Sequence, residues 1–133
     1  MIKLFIGSKG SGKTKTLIEL TNAASEKSNG SVVCIEKGDK LKHEITYKAR
    51  LIDTNSYAVD NAESLYGFVS GVLASNSDIT DIFIDSALKI CNNDCAAFEI
   101  FLKKLQAVSN DVNIVITASI AVDECPEAIK AYA

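Results

Sequence analysis

A glycine-rich segment near the start of the chain carries the residues best suited to chemistry. Residues 7–14 read Gly-Ser-Lys-Gly-Ser-Gly-Lys-Thr and fit the pattern G-x-x-x-x-G-K-[ST]. Glycines let backbone N–H groups point inward and approach an anion closely, and a lysine adds positive charge. A hydroxyl after the lysine is an oxygen ligand of the kind that Mg²⁺ prefers. The segment therefore predicts a cradle for the phosphates of a nucleoside triphosphate.

The flanking elements support this interpretation. An apolar run over 2–6 predicts a strand before the loop, and apolar residues at helical spacing predict a helix over about 13–28 after it. A helix N-terminus in this position attracts phosphate through its free N–H groups and its dipole. The predicted phosphate-binding residues are Gly7, Ser8, Lys9, Gly10, Ser11, Gly12, Lys13 and Thr14. Lys13 is expected to reach the β- and γ-phosphates and Thr14 to bind magnesium, whereas Lys9 has a solvated side chain as its competing interpretation.

A second strand ends in a carboxylate. The run Ile82-Phe83-Ile84 is followed by Asp85. Because the carboxyl ends of parallel strands meet at the ligand-binding edge of a sheet, Asp85 is expected near the magnesium ion, directly or through water. The competing interpretation is an aspartate that caps the turn after the strand.

Strands and helices alternate along the whole chain. The predicted strands are 2–6, 31–36, 50–53, 79–85 and 112–117; the predicted helices are 13–28, 60–74, 93–108 and 126–131. The helix that begins near residue 60 is expected to have Asp60 as its N-cap. The stretch 37–47 is polar and predicts a loop or a short hairpin. This alternation predicts one domain over 1–133, a three-layer α/β/α sandwich with a mainly parallel sheet.

Composition excludes several functions. The net charge of −3 argues against a general nucleic-acid or membrane surface, and no apolar run is long enough for a spanning helix. The first residues predict a core strand rather than a signal peptide, so a cytoplasmic location is expected. Of the four cysteines, Cys91 and Cys95 could be zinc ligands, but reduced thiols are the better interpretation for an intracellular protein.

Together, the loop at 7–14 and the acidic strand end at Asp85 resemble the Walker A and Walker B motifs of the RecA-like (additional-strand) P-loop NTPases. The resemblance spans most of the chain as an arrangement of elements, with only the glycine loop highly specific. It implies ATP and Mg²⁺ as cofactors. It also implies a sheet in which another strand lies between the two strands that carry the motifs.

The resemblance raises the question of the catalytic base. Many ATP-hydrolysing relatives have a glutamate after the Walker B aspartate, but this chain has Ser86. Glu36, at the end of the second predicted strand, is the alternative candidate for the base. The competing interpretation is that Glu36 is a solvated glutamate. Thr117 or Ser119, at the end of the last strand, could contact the γ-phosphate as a sensor, against a hydroxyl that satisfies a turn.

The resemblance leaves the biological activity open. The first hypothesis is an ATPase that uses Lys13, Asp85 and Glu36; the second is a nucleotide-binding switch or regulatory subunit with little hydrolysis; the third is a small-molecule kinase. Arg50 is the only arginine and could act as a finger in a homo-oligomer, but a pair with Asp53 or another carboxylate is the competing interpretation. A protein partner stays open, and nucleic acid is disfavoured because acidic residues are interleaved with the lysines of 37–50.

Overall fold

A computed structural model of the chain describes residues 1–133 and contains one five-stranded sheet. The strands are β1 (Ile2–Gly7), β2 (Ser31–Glu36), β3 (Ala49–Asp53), β4 (Ile79–Ile84) and β5 (Asn113–Ser119). All four neighbouring pairs are parallel, and the strand order is β1-β5-β4-β2-β3. β5 therefore lies between β1 and β4. The predicted α/β class with a parallel sheet is confirmed.

The chain also forms five helices. They are α1 (Lys13–Lys27), α2 (Ala62–Ser75), α3 (Ala87–Ile90), α4 (Cys95–Val108) and α5 (Glu127–Lys130), with 3₁₀ turns at Thr54–Tyr57 and Val122–Glu124. None of the helices combines the length and apolar character needed to cross a membrane.

The apolar residues form two cores, one on each face of the sheet. The larger core joins one face to α2, α3, α4 and α5, and Phe98 and Phe101 of α4 are among its most buried side chains. The smaller core joins the other face to α1 through Leu17, which packs with Leu41 and Ile45 from the segment after β2. Helices on both faces of a sheet are compatible with a three-layer α/β/α sandwich.

Two helix starts differ from the predictions. The N-cap of α2 is Asn61 rather than Asp60, because the Asn61 side chain accepts the Ser64 N–H and the Ser64 hydroxyl accepts the Asn61 N–H. The predicted helix from 93 begins at Cys95 after an Asp94 cap. Residues 92 and 93 have left-handed backbones and separate α4 from the short helix α3, which the sequence analysis did not predict.

Candidate functional site

The glycine loop opens into a cavity of about 660 Å³ at the carboxyl edge of the sheet. Residues from the loop, the ends of β2, β4 and β5, and the segment after β2 line it. This volume lies within the range of small-molecule sites, and the carboxyl edge is where open parallel sheets bind ligands. The fold brings seven predicted site residues together at the cavity, which are Lys9, Gly10, Gly12, Lys13, Thr14, Glu36 and Asp85.

The loop between β1 and α1 has the backbone that its glycines permit. Gly10 and Gly12 have φ angles of 86° and 91°, in the left-handed region that favours glycine. The Lys13 ammonium lies back over the loop and donates to the Ser8 carbonyl at 2.9 Å and to the Ser11 hydroxyl at 3.2 Å. Partial burial lowers the pKa of Lys13, and the Asp85 carboxylate opposes that shift. The ammonium is thus held at the cavity by weak neutral partners that an anion can replace.

The Asp85 carboxylate receives three hydroxyl groups. Its Oδ1 accepts the Thr14 hydroxyl at 3.1 Å and the Thr117 hydroxyl at 2.8 Å, and its Oδ2 accepts the Ser86 hydroxyl at 3.2 Å. Asp85 is buried, and its own N–H donates to the Ile35 carbonyl of β2 at 2.9 Å. These bonds fix the carboxylate at the start of α1, beside the hydroxyl that follows the loop lysine.

Thr117 lies behind Asp85 and not in the cavity wall. Its side chain is buried, and its hydroxyl donates to Asp85 while it accepts the Ser86 N–H at 2.8 Å. This position differs from the one expected for a residue that contacts a phosphate. Ser119, two residues further along β5, is exposed and does line the cavity. The Thr117 hydroxyl therefore links the Asp85 carboxylate to the backbone of the turn at Ser86.

Glu36 is buried, so its interpretation as a solvated glutamate is wrong. Only 3% of its surface is exposed, and its two carboxylate oxygens accept the N–H groups of Lys40 and Leu41, both at 3.1 Å. Burial raises the pKa of the Glu36 carboxyl; the two amide donors oppose the shift, and the carboxylates of Asp85 and Asp53 add to it. Glu36 thus faces the cavity and also anchors the segment that follows β2.

The segment 37–48 is irregular, as predicted, but it is attached to the fold at several points. The Gly38 N–H donates to the Asp53 carboxylate at 2.8 Å. The Asn22 amide of α1 donates to the Glu44 carbonyl and accepts the Thr46 N–H, both at 2.9 Å. With Leu41 and Ile45 buried against α1, the segment forms a fixed wall of the cavity.

Several residues that line the cavity are not among the site residues predicted from the sequence. Lys37, Lys40 and Lys89 line it, together with Glu44 and Asn93. Lysines in polar segments resemble ordinary solvated residues, and only their position after Glu36 and Asp85 in the sequence could have indicated a role. The side chain of Lys9 also lines the cavity and has no carboxylate partner.

Arg50 and the cysteines lie outside this arrangement. Arg50 is exposed on the edge strand β3 and makes no ion pair with Asp53 or any other carboxylate, so the predicted pairing is wrong. The four cysteines are free, and no group of three or more His, Cys, Asp or Glu side chains is arranged to hold a metal ion. Burial raises the pKa of Cys34 and of Cys91 to about 12.

No protein-family model matches this chain, and none of the curated proteins matches it with significance.

Proposed function

We propose that this chain is a P-loop protein of the RecA-like type that binds ATP with magnesium and hydrolyses the γ-phosphate. The observation that carries the proposal is the 3.1 Å hydrogen bond between the Thr14 hydroxyl and the Asp85 carboxylate. These residues are 71 positions apart in sequence, and both are expected at the magnesium ion of a P-loop protein. The position of β5 between β1 and β4 is the further arrangement that the resemblance implies.

Phosphate binding rests on the glycine loop. Its backbone N–H groups at the start of α1 provide donors and the positive end of a helix dipole. Lys13 already lies over this loop, held only by a carbonyl and a hydroxyl. A phosphate oxygen is a stronger partner for an ammonium than either group, because both members of the new pair are charged. We expect Lys13 to leave these partners for the β- and γ-phosphates.

The donor set beside the loop fits magnesium. Mg²⁺ takes oxygen ligands and is commonly held by one or two protein groups together with phosphates and water. Thr14 and Asp85 provide a hydroxyl and a carboxylate that are already in contact. The ion, when bound, neutralises the charge that develops on the phosphate oxygens. Thr117 and Ser86 keep the carboxylate in place whether or not Thr14 donates to it.

Glu36 is the residue best placed to act as the base. Glu36 lines the cavity. It also lies beside Asp85, because the Asp85 N–H donates to the carbonyl of Ile35, the residue before Glu36. A water oxygen would attack the γ-phosphorus while the bond to the bridging oxygen breaks and ADP leaves. The proton from that water would pass to the Glu36 carboxylate. Burial raises the pKa of this carboxyl, which makes it a better proton acceptor than an exposed glutamate.

A nucleotide-binding switch with little hydrolysis is the second candidate. The observation that favours it is that both Glu36 oxygens already accept backbone N–H groups, while Ser86 stands where relatives carry a glutamate. A carboxylate engaged in this way has fewer free lone pairs for a water molecule. Its main role would then be to hold the segment 37–48 against the cavity.

Two measurements on the same samples separate these functions. We would measure ATP binding by calorimetry and phosphate release, both with Mg²⁺, for wild type, Lys13→Ala, Glu36→Gln and the control Lys27→Ala at the far end of α1. The ATPase proposal expects binding and release in wild type and the control, neither in Lys13→Ala, and binding alone in Glu36→Gln. Tight ATP binding by Lys13→Ala would refute the assigned loop. Binding without release in wild type would select the switch.

A further inference from the structure

The lysines of the segment 37–48 fall into two classes. Lys42 pairs with Asp39 at 3.7 Å, and Lys48 pairs with Glu26 at 3.0 Å. Lys37 and Lys40 have no carboxylate within 4.0 Å, and these are the two that line the cavity. The segment thus neutralises the lysines that face away from the cavity and leaves the cavity lysines without partners.

The whole cavity repeats this pattern. Its lining includes only three of the seventeen acidic residues of the chain. It includes six of the fourteen basic ones, which are Lys9, Lys13, Lys15, Lys37, Lys40 and Lys89. The protein as a whole has a net charge of −3, so its positive charge is concentrated at one place. None of the six lysines has an ion-pair partner. Lysines that outnumber the carboxylates around them repel one another, and an anionic ligand relieves that repulsion.

The position of the unpaired lysines points to the end of the triphosphate. Lys37 directly follows Glu36 at the end of β2, and Lys40 comes four residues after Glu36. Lys89 lies in α3, three residues after Ser86. The ends of β2 and β4 are joined by the bond from the Asp85 N–H to the Ile35 carbonyl. All three lysines therefore lie on segments that begin beside two carboxylates. Asp85 is the carboxylate assigned to magnesium, and Glu36 is the one assigned to the attacking water.

We infer that Lys37, Lys40 and Lys89 bind the terminal phosphate of the nucleotide and supply, within one chain, the positive charge that an arginine finger supplies in related enzymes. This inference rests on the proposed function. Ordering of the segment by Glu36 holds the backbone of Lys40 in place before the ligand arrives, which lowers the entropic cost of the contact. Charge developing on the γ-phosphoryl group during transfer is what such cations stabilise.

The test compares two ligands that differ by one phosphate. Dissociation constants for Mg-ADP and for a nonhydrolysable Mg-ATP analogue would be measured by calorimetry at 0.15 M salt. The variants would be Lys37→Gln, Lys40→Gln, Lys89→Gln and their triple mutant, with Lys42→Gln as the control from the same segment. We expect the triple mutant to lose at least about tenfold of its affinity for the triphosphate, as charge-assisted bonds to phosphate imply, and little for the diphosphate.

The outcomes separate this inference from the function on which it rests. Wild type that binds neither nucleotide would refute the proposed function. Wild type that binds both, with unchanged affinities in the triple mutant, would refute the terminal-phosphate contact alone. An equal loss for both nucleotides would also refute it, since that result describes a general attraction that salt should screen. A selective loss in Lys42→Gln would remove the distinction between paired and unpaired lysines.

Discussion

Replacing Thr117 with valine tests how the site is held together. Valine has nearly the shape of threonine but no hydroxyl, so Thr117→Val removes two hydrogen bonds and little volume. One is the 2.8 Å bond donated to the Asp85 carboxylate; the other is the 2.8 Å bond accepted from the Ser86 N–H. The Thr117 side chain is buried, and water cannot replace the lost hydroxyl without displacing neighbouring atoms.

The expected cost follows from these two bonds. A hydrogen bond to a charged group is worth roughly 1.5–3 kcal/mol, and a buried donor without a partner costs roughly 1–3 kcal/mol. Asp85 keeps the hydroxyls of Thr14 and Ser86, which reduces the first contribution. We therefore expect Thr117→Val to lower the free energy of unfolding by about 2–4 kcal/mol. Thr117→Ser keeps the hydroxyl, loses one methyl group, and should cost only about 1 kcal/mol.

Urea unfolding followed by circular dichroism measures both variants. With a slope of roughly 1–3 kcal/mol per molar urea for small proteins, the valine variant should unfold at a midpoint about 1–2 M below wild type. The serine variant should lie between them. A valine variant as stable as the serine variant would refute the role given to the hydroxyl. Weakened Mg-ATP binding in the valine variant, with binding retained by serine, would connect that role to the site.

Three further predictions concern backbone packing and titration. Gly30→Ala should lower the free energy of unfolding by about 1–3 kcal/mol in the same urea assay, because a methyl group there would overlap the backbone carbonyl of Asp78. Gly67→Ala in α2, with open space around it, should raise the free energy of unfolding by about 0.5–1 kcal/mol. Burial raises the folded-state pKa of Glu36, so the folded protein binds that proton more tightly than the unfolded chain. The free energy of unfolding of wild type relative to Glu36→Gln should therefore fall as pH rises from the ordinary glutamate pKa through the raised one. A relative free energy of unfolding that rises over this pH range would contradict the shift. With a pKa of about 12, Cys34 should resist iodoacetamide at pH 8 in native protein and react only after unfolding, as mass spectrometry would detect.

The strands of this protein could be predicted because their signal is local. Buried strands such as 31–36 and 79–84 each contain a short apolar run, as parallel strands covered on both faces commonly do. The glycine loop was equally visible, since it combines a fixed spacing with a preceding strand and a following helix. Helix starts were less accurate because caps compete locally, as Asn61 and Asp60 do before α2.

Side-chain roles at the carboxyl edge could not be predicted in the same way. Glu36 belongs to a polar run and looks solvated in sequence, yet folding buries it because Lys40 and Leu41 turn their amides toward it. Thr117 ends an apolar strand and could have faced the cavity; strand alternation alone does not say that its hydroxyl reaches Asp85. These outcomes depend on contacts between elements that are distant in the chain.

The two carboxylates of the site differ in the kind of donor that holds them. Asp85 receives side-chain hydroxyls, which can rotate, so Thr14 can turn toward a ligand while Thr117 keeps the carboxylate in place. Glu36 receives backbone amides, which cannot turn away unless the segment 37–48 moves. A proton placed on Glu36 would remove the charge that strengthens those two bonds. If Glu36 is the base, hydrolysis therefore weakens the attachment of the segment 37–48, which carries Lys37 and Lys40. Product release and the position of this segment are then coupled through the Glu36 carboxylate.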